Sequence, residues 1–342
     1  MSVALKIVLG LIAAIGVALL ALTLQLNRFL ETPIEIQGAD SLFEVRPGMP
    51  FGQISSALAE QGIIDQPTLF RLYARFVDKA GSVHVGEYQV ESGTTPKQLL
   101  EMLVAGDVRL YSFTIVEGWT FRELIDALNK DSIVVKGMVY EDWPGLLENL
   151  GAEASHPEGL FLPETYRFPK GTSDLSILRQ AYELMQETLD SEWDGRASNI
   201  PVGSPYEALV LASIIEKETA LASERPRISG VFTRRLEQRM RLQTDPTVIY
   251  GIGESFNGNL TRRDLRTDTP YNTYTRSGLP PTPIALPGKA AINAALNPEP
   301  GTEIYFVATG LGDGSHKFSN TKAEHDAAVQ EYLARQRASR NQ

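Results

Sequence analysis

Glu216, Lys217 and Glu218 interrupt an otherwise apolar stretch, with ALVLASII before them and TALAS after. The pattern over residues 207–224 predicts a single helix. At roughly 100° per residue, Glu218 projects with Leu211, Ile214, Ile215, Leu221 and Ala222, and Glu216 points almost the opposite way, toward solvent. A carboxylate on an apolar stripe is costly unless it is paired, hydrogen-bonded or protonated, and desolvation raises its pKa toward the range of a general acid. Two readings of Glu218 follow. One is a proton donor; the other is an architectural carboxylate at a helix N-terminus or paired with Lys217 or Arg225.

Other segments gather polar groups at spacings that suit a site. In RLQTDPTVIYGIG, from Arg241 to Gly253, Gln243, Thr244 and Asp245 precede Pro246. Asp245 fits an N-cap with Pro246 at the first helical position, and it fits a catalytic role equally well. YNTYTRSGLPPTPIALPG, from Tyr271 to Gly288, places Tyr271, Asn272, Thr273 and Tyr274 ahead of four prolines. Aromatic faces beside amide and hydroxyl groups suit a sugar, and the proline density also suits an ordered loop without a ligand. EGLFLPETYRFPKG, from Glu158 to Gly171, predicts an irregular loop, either lining a site or tied to the surface by Phe161, Tyr166 and Phe168.

Several chemistries lack their residues. His84, His156, His316 and His325 show no H-E-x-x-H spacing, and the chain has no cysteine to supply a thiolate ligand or a disulfide. No nucleophile elbow, phosphate loop or dinucleotide fingerprint occurs; GLGDG at Gly310 reads as a hairpin-like turn. A net charge of −10 without a basic patch argues against nucleic acid as partner. Acid-base chemistry remains, and it needs no cofactor.

The elements that must position these residues are legible in outline. Residues 7–24 carry no charge, with Lys6 before them and Arg28 after. That run is close to the ~20 residues that span a bilayer, and it is longer than a signal-peptide core and lacks an A-x-A site. An uncleaved anchor is expected over residues 1–30, with the bulk of the chain outside the cytosol. A pattern then recurs: Val45, Gly48, Phe51, Ile54, Leu58; Val90, Gly93, Pro96, Leu99, Leu103; and, one residue shorter, Val116, Gly118, Phe121, Leu124, Leu128. Each copy reads as a strand end, a turn and an amphipathic helix. Residues 40–108 give a strand-helix-helix-strand order like that of a glycan-binding LysM module. Residues 109–342 form a mixed α+β domain, with a strand over 111–116, helices over 121–129 and 175–188, a strand over 303–308 and a closing helix. The fold class is thus α+β behind a transmembrane helix.

ASIIEKETA, LQTDPTVIYG, EGLFLPETY and YNTYTRSGLPPTPI, in this order behind the anchor and the LysM-like segment, resemble the endolytic murein transglycosylases over essentially the whole chain. The resemblance implies a single-pass protein of the bacterial inner membrane. It would cleave the β-1,4 bond between N-acetylmuramic acid and N-acetylglucosamine in nascent glycan strands, leaving 1,6-anhydro-muramic ends. Its partners would be peptidoglycan strands and the peptidoglycan synthases of the elongation machinery. Resemblance and helical geometry together select Glu218 as the acid that then acts as base. Glu216, Gln243, Asp245, Tyr271, Asn272 and Glu164 are expected to position the substrate or the catalytic carboxyl. The alternative from another class is an inactive, glycan-binding scaffold of the wall-synthesis machinery.

Overall fold

The computed structural model describes residues 3–36 and 40–340. It is a mixed α+β structure that divides into two units: residues 1–111 with 167–171, and residues 112–166 with 172–342.

The first unit opens on α1 (Val3–Glu31), long and apolar enough to cross a membrane. β1 (Asp40–Val45), α2 (Phe51–Glu60), α3 (Pro67–Phe76) and β2 (Gly86–Glu91) follow, and then α4 (Pro96–Ala105). β1 and β2 pair antiparallel, with Phe43 opposite Tyr88 and Val45 opposite Gly86. Phe43, Ile54, Leu58, Phe70, Tyr88, Val90, Leu99 and Leu103 form the core. The last turn of α1 joins it: Phe29 and Leu30 are buried, and the Phe29 ring meets Phe70 edge-on at 6.5 Å. α1 therefore continues as one helix from its apolar stretch into this unit's core. Burying two large apolar side chains there contributes about 3–6 kcal/mol.

The recurrent pattern has a structural counterpart. In each copy a strand end leads to a glycine with positive φ (Gly48, Gly93, Gly118), and a helix starts three residues later. Glycine takes the left-handed conformation without the Cβ clash other residues meet. The helices of the second and third copies each begin with a capping box, Thr95 with Gln98 and Thr120 with Glu123.

In the second unit, β3 (Leu110–Thr114), which begins in the first unit, precedes α5 (Phe121–Lys130) and α6 (Trp143–Leu150). β4 (Thr165–Pro169), whose residues from Arg167 on belong to the first unit, pairs with β3 in a two-stranded sheet. EGLFLPETYRFPKG is therefore partly regular, because Tyr166 and Phe168 alternate inward along a strand. α7 (Asp174–Asp194), α8 (Pro205–Glu218), α9 (Arg225–Glu237), α10 (Asp245–Ile252) and α11 (Lys289–Leu296) follow. The chain closes with the antiparallel hairpin β5 (Tyr305–Ala308) and β6 (His316–Ser319), then α12 (Lys322–Arg340).

α8 is the hub. Ser204 caps it by accepting the Glu207 N–H, Pro205 opens it, and every residue from Ala208 to Ile215 is buried. A helix apolar all round belongs in a core. It packs on α7, α9, α10 and most extensively on the alanine-rich α11, whose small side chains let the backbones approach. Ser213 keeps its polar group satisfied, donating to the Val210 carbonyl and accepting the Ile284 N–H.

The helix expected over 207–224 ends at Glu218. Thr219 is extended, at φ −146° and ψ 135°, and its hydroxyl accepts the Leu221 N–H at 3.0 Å. A Thr side chain that bonds the backbone two residues on competes with continued helix. Leu221 and Ala222 thus lie outside the stripe to which the periodicity assigned them, and Glu218 sits on the last turn.

Candidate active site

Glu218 and Glu216 leave the C-terminal turn of α8 in opposite directions, into different environments. Glu216 is not solvated as expected. Its side chain is 5% exposed, ion-paired to Arg225 at 3.0 Å, and accepts the Gly288 N–H at 3.0 Å. Arg225 also reaches Glu117 at 3.4 Å. Burial raises the Glu216 pKa, against the pull of the Gly288 N–H and Arg225. The Glu216 face is turned inward because α9 begins there and brings Arg225, a charge the helical wheel of α8 cannot show.

Glu218 takes its hydrogen bond from a neutral group, the Thr244 hydroxyl, which donates to Oε1. The residue is half-buried, and its carboxyl is crowded by protein. Burial pushes its pKa up to about 7; the Asp245 carboxylate pushes the same way, and the Thr244 bond, His316 and Arg235 oppose. Both side chains are engaged elsewhere. His316 bonds Glu224 at 2.7 Å, and Arg235 donates to the Ile304 and Leu242 carbonyls at 2.7 and 2.6 Å. Glu218 is therefore desolvated without a strong ionic partner, which favours retention of its proton.

α10 and the segment after it bring the remaining groups. Thr244 occupies the N-cap position expected for Asp245, and Asp245 is the first helical residue. The Thr244 hydroxyl does not cap; it is turned to Glu218 while Thr273 Oγ1 accepts the Thr244 N–H at 3.1 Å. Asp245 is exposed and accepts the Tyr274 hydroxyl at 2.5 Å. Burial and that carboxylate raise the Tyr274 pKa. Gln243 is exposed with φ +51°, and its N–H bonds the Thr273 carbonyl at 3.2 Å.

Lys217 and Pro246, the chain neighbours of Glu218 and Asp245, line a cleft of about 970 Å³ whose walls also include Tyr250, Tyr271, Tyr140 and Glu158. Tyr250 and Tyr271 meet edge-to-face at 4.9 Å, and the Tyr271 hydroxyl shares a 2.8 Å hydrogen bond with Thr282. Arg122 lies 3.7 Å over the Tyr140 ring and pairs with Glu254 at 3.0 Å. Aromatic walls with charged edges suit a polar ring system.

Two further expected site residues bond other groups. Asn272 is fully buried; its amide donates to the carbonyls of Asp264, Leu265 and Thr267, and its oxygen accepts the Tyr274 N–H. It holds the loop that carries Tyr271 and Tyr274. Glu164 is exposed and accepts the Thr165 N–H. In the same motif the desolvated acid is Glu158, 2% exposed, with its pKa pushed up to about 8 by burial. Thr244, Tyr274 and His316 escaped sequence reasoning as partners of Glu218. Thr244 stood in a quoted motif, but only the meeting of α8 with α10 shows where its hydroxyl goes. Among the described residues, no three His, Asp or Glu side chains are grouped to hold a metal ion.

An α+β unit that carries the desolvated, proton-retaining carboxyls of Glu218 and Glu158 together with an aromatic cleft has the equipment of an acid-base catalyst acting on a polar ring. The chain belongs to the YceG-like family, whose model matches residues 43–331. It is 28% identical over 316 residues to an endolytic murein transglycosylase of Bacillus subtilis, covering 86% of each chain. An endolytic murein transglycosylase of Streptococcus pneumoniae serotype 2 is 26% identical over 332 residues, covering 86% of this chain and 59% of that protein. The crystal structure of a YceG-like protein from Listeria monocytogenes superposes with a TM-score of 0.52 at 28% identity, covering 84% of this chain and 98% of that one.

Proposed function

We propose that this protein is an endolytic murein transglycosylase that cleaves the β-1,4 bond between N-acetylmuramic acid and N-acetylglucosamine within glycan strands, with Glu218 as acid and then base. The observation that carries the reading is the Glu218 carboxyl, desolvated, bonded by a hydroxyl and raised to about 7. The relatives' names supply the substrate class.

The step balances with one carboxyl. Protonated Glu218 donates to the glycosidic oxygen as the bond to muramic C1 breaks, and the electron pair leaves with the N-acetylglucosamine O4. The resulting carboxylate takes the proton of the muramic C6 hydroxyl as O6 bonds C1. The acid is regenerated, no water is consumed, and the new end is 1,6-anhydro-muramic acid. Thr244 on Oε1 leaves Oε2 to carry the proton. Asp245, oriented by Tyr274, discourages early loss of that proton and favours positive charge developing at C1.

In this reading α1 anchors the chain in the bacterial inner membrane with both units outside the cytosol. The first unit's strand-helix-helix-strand order supports a LysM-like, glycan-binding role. The family resemblance implies that the enzyme trims nascent strands beside peptidoglycan synthases of the elongation machinery. Full-length protein and its Glu218→Gln variant, incubated with purified murein and followed by mass spectrometry, test the reading. Anhydro ends from the wild type, reduced about 10²–10⁴-fold in the variant, are expected. Reducing ends would indicate hydrolysis instead, and binding without product would indicate a scaffold.

A further inference from the structure

Glu158 is another desolvated carboxyl of this unit, and its two oxygens join different elements. Oε1 accepts the backbone N–H of Phe121, the first residue of α5, at 2.9 Å. Oε2 accepts the Tyr250 hydroxyl, on α10, at 3.0 Å. The segment is fixed around it: Gly159 has φ +82°, and a Cβ there would lie 2.5 Å from Pro283. His156 Nδ1 accepts the Glu158 N–H at 3.1 Å, and Glu123 is the nearby charge. A buried carboxyl normally requires a compensating partner. At neutral pH this one largely keeps its proton, and a protonated Glu158 can donate to the Tyr250 oxygen, so the bond survives in either state.

What Tyr250 is attached to gives this bond its consequence. α10 is a rod about 12 Å long at 1.5 Å per residue. Tyr250 is near one end, and Thr244 and Asp245, which act on Glu218, are at the other. A second route runs from the Tyr250 ring to Tyr271 and on to Thr273, which also holds the Thr244 N–H. We propose that Glu158 is a positioning residue for the transglycosylation: it clamps Tyr250 to the start of α5 and, through α10, sets the Thr244 hydroxyl and Asp245 against Glu218. The proposal rests on the functional reading above and assigns Glu158 a role that acts through other residues.

The test uses full-length protein in detergent with purified murein and compares Glu158→Ala, Glu158→Gln, Thr244→Val and the Ala/Val double variant. Misplacing a catalytic group by about 1 Å costs up to ~10²-fold. Glu158→Ala is therefore expected to lower kcat about 30-fold with KM changed less than about twofold. Glu158→Gln, which keeps the size and an acceptor for Phe121, is expected to lose only about threefold by the same positional argument. Residues acting through one contact are not additive, so the double variant is expected to be no worse than its poorer parent. The alkaline limb of kcat should move to higher pH in both Glu158→Ala and Thr244→Val, because the Thr244 bond lowers the proton affinity of Glu218. Multiplying losses in the double variant, an unmoved limb, or a Gln variant as poor as Ala would overturn the proposal. If Glu158→Ala does not fold, Tyr250→Phe removes the hydroxyl alone; wild-type kcat and an unmoved limb there would overturn it as well. A wild type that releases no anhydro product sinks the functional reading instead. In that case NMR titration of ¹³C-labelled glutamate carboxyls decides the clamp: an upward shift of Glu218 in Glu158→Ala supports it, and an unchanged Glu218 overturns it.

Discussion

Replacing Glu218 by Gln is expected to stabilise the protein while it lowers catalysis about 10²–10⁴-fold. The carboxyl titrates near 7 in the folded state against an ordinary value of 4.5. At about 1.36 kcal/mol per tenfold change in proton affinity, the ionised folded state is penalised by about 3 kcal/mol. The sign follows from proton counting. Between pH 4.5 and 7 the folded chain holds a proton that the unfolded chain has released, so stability falls as pH rises through that window and the full cost is present above pH 7. Gln carries no charge at any pH, and its carbonyl can still accept the Thr244 hydroxyl. Glu218→Gln should therefore match the wild type at pH 4 and exceed it by about 3 kcal/mol at pH 8. Ionisation of Glu158, common to both proteins, cancels in the difference. Urea unfolding in detergent, followed by tryptophan fluorescence, measures this cleanly, because Trp119, Trp143 and Trp193 all lie in the second unit. An equal gain at pH 4 and pH 8, or a loss at pH 8, would refute the claim that a costly, proton-retaining carboxyl sits at Glu218.

Glu216→Gln should act in the opposite sense. It removes the carboxylate from Arg225, whose side chain is 10% exposed, and loss of one partner of a buried pair costs about 3–5 kcal/mol; the same fluorescence experiment reads it at pH 8. Phe29→Ala should lower the stability of the first unit by about 3–5 kcal/mol, because Phe29 is a core residue there as well as part of α1. Faster hydrogen exchange at the Tyr88 and Val90 amides would register the loss, and unchanged exchange would show that the last turn of α1 does not support this core.

The sequence by itself determined whatever depends on short-range pattern. The uncharged run over residues 7–24, the three strand-turn-helix copies and the tail hairpin all reappear as elements, because periodicity, glycine turns and capping residues act within about ten positions. The same pattern misjudged the end of α8, where a single Thr219 hydroxyl bond ends the helix. It also drew attention to Glu218, and to the polar residues before Pro246 that meet it. Partners came only with the tertiary structure. A helical wheel places Glu216 outward, but whether outward means solvent depends on α9, which arrives with Arg225. A motif with two acids does not reveal which is desolvated; the Phe121 N–H and the Tyr250 hydroxyl enclose Glu158, while Glu164 is left exposed. Carboxyl chemistry is set by what surrounds the group within a few ångströms, and here those neighbours come from residues tens of positions away.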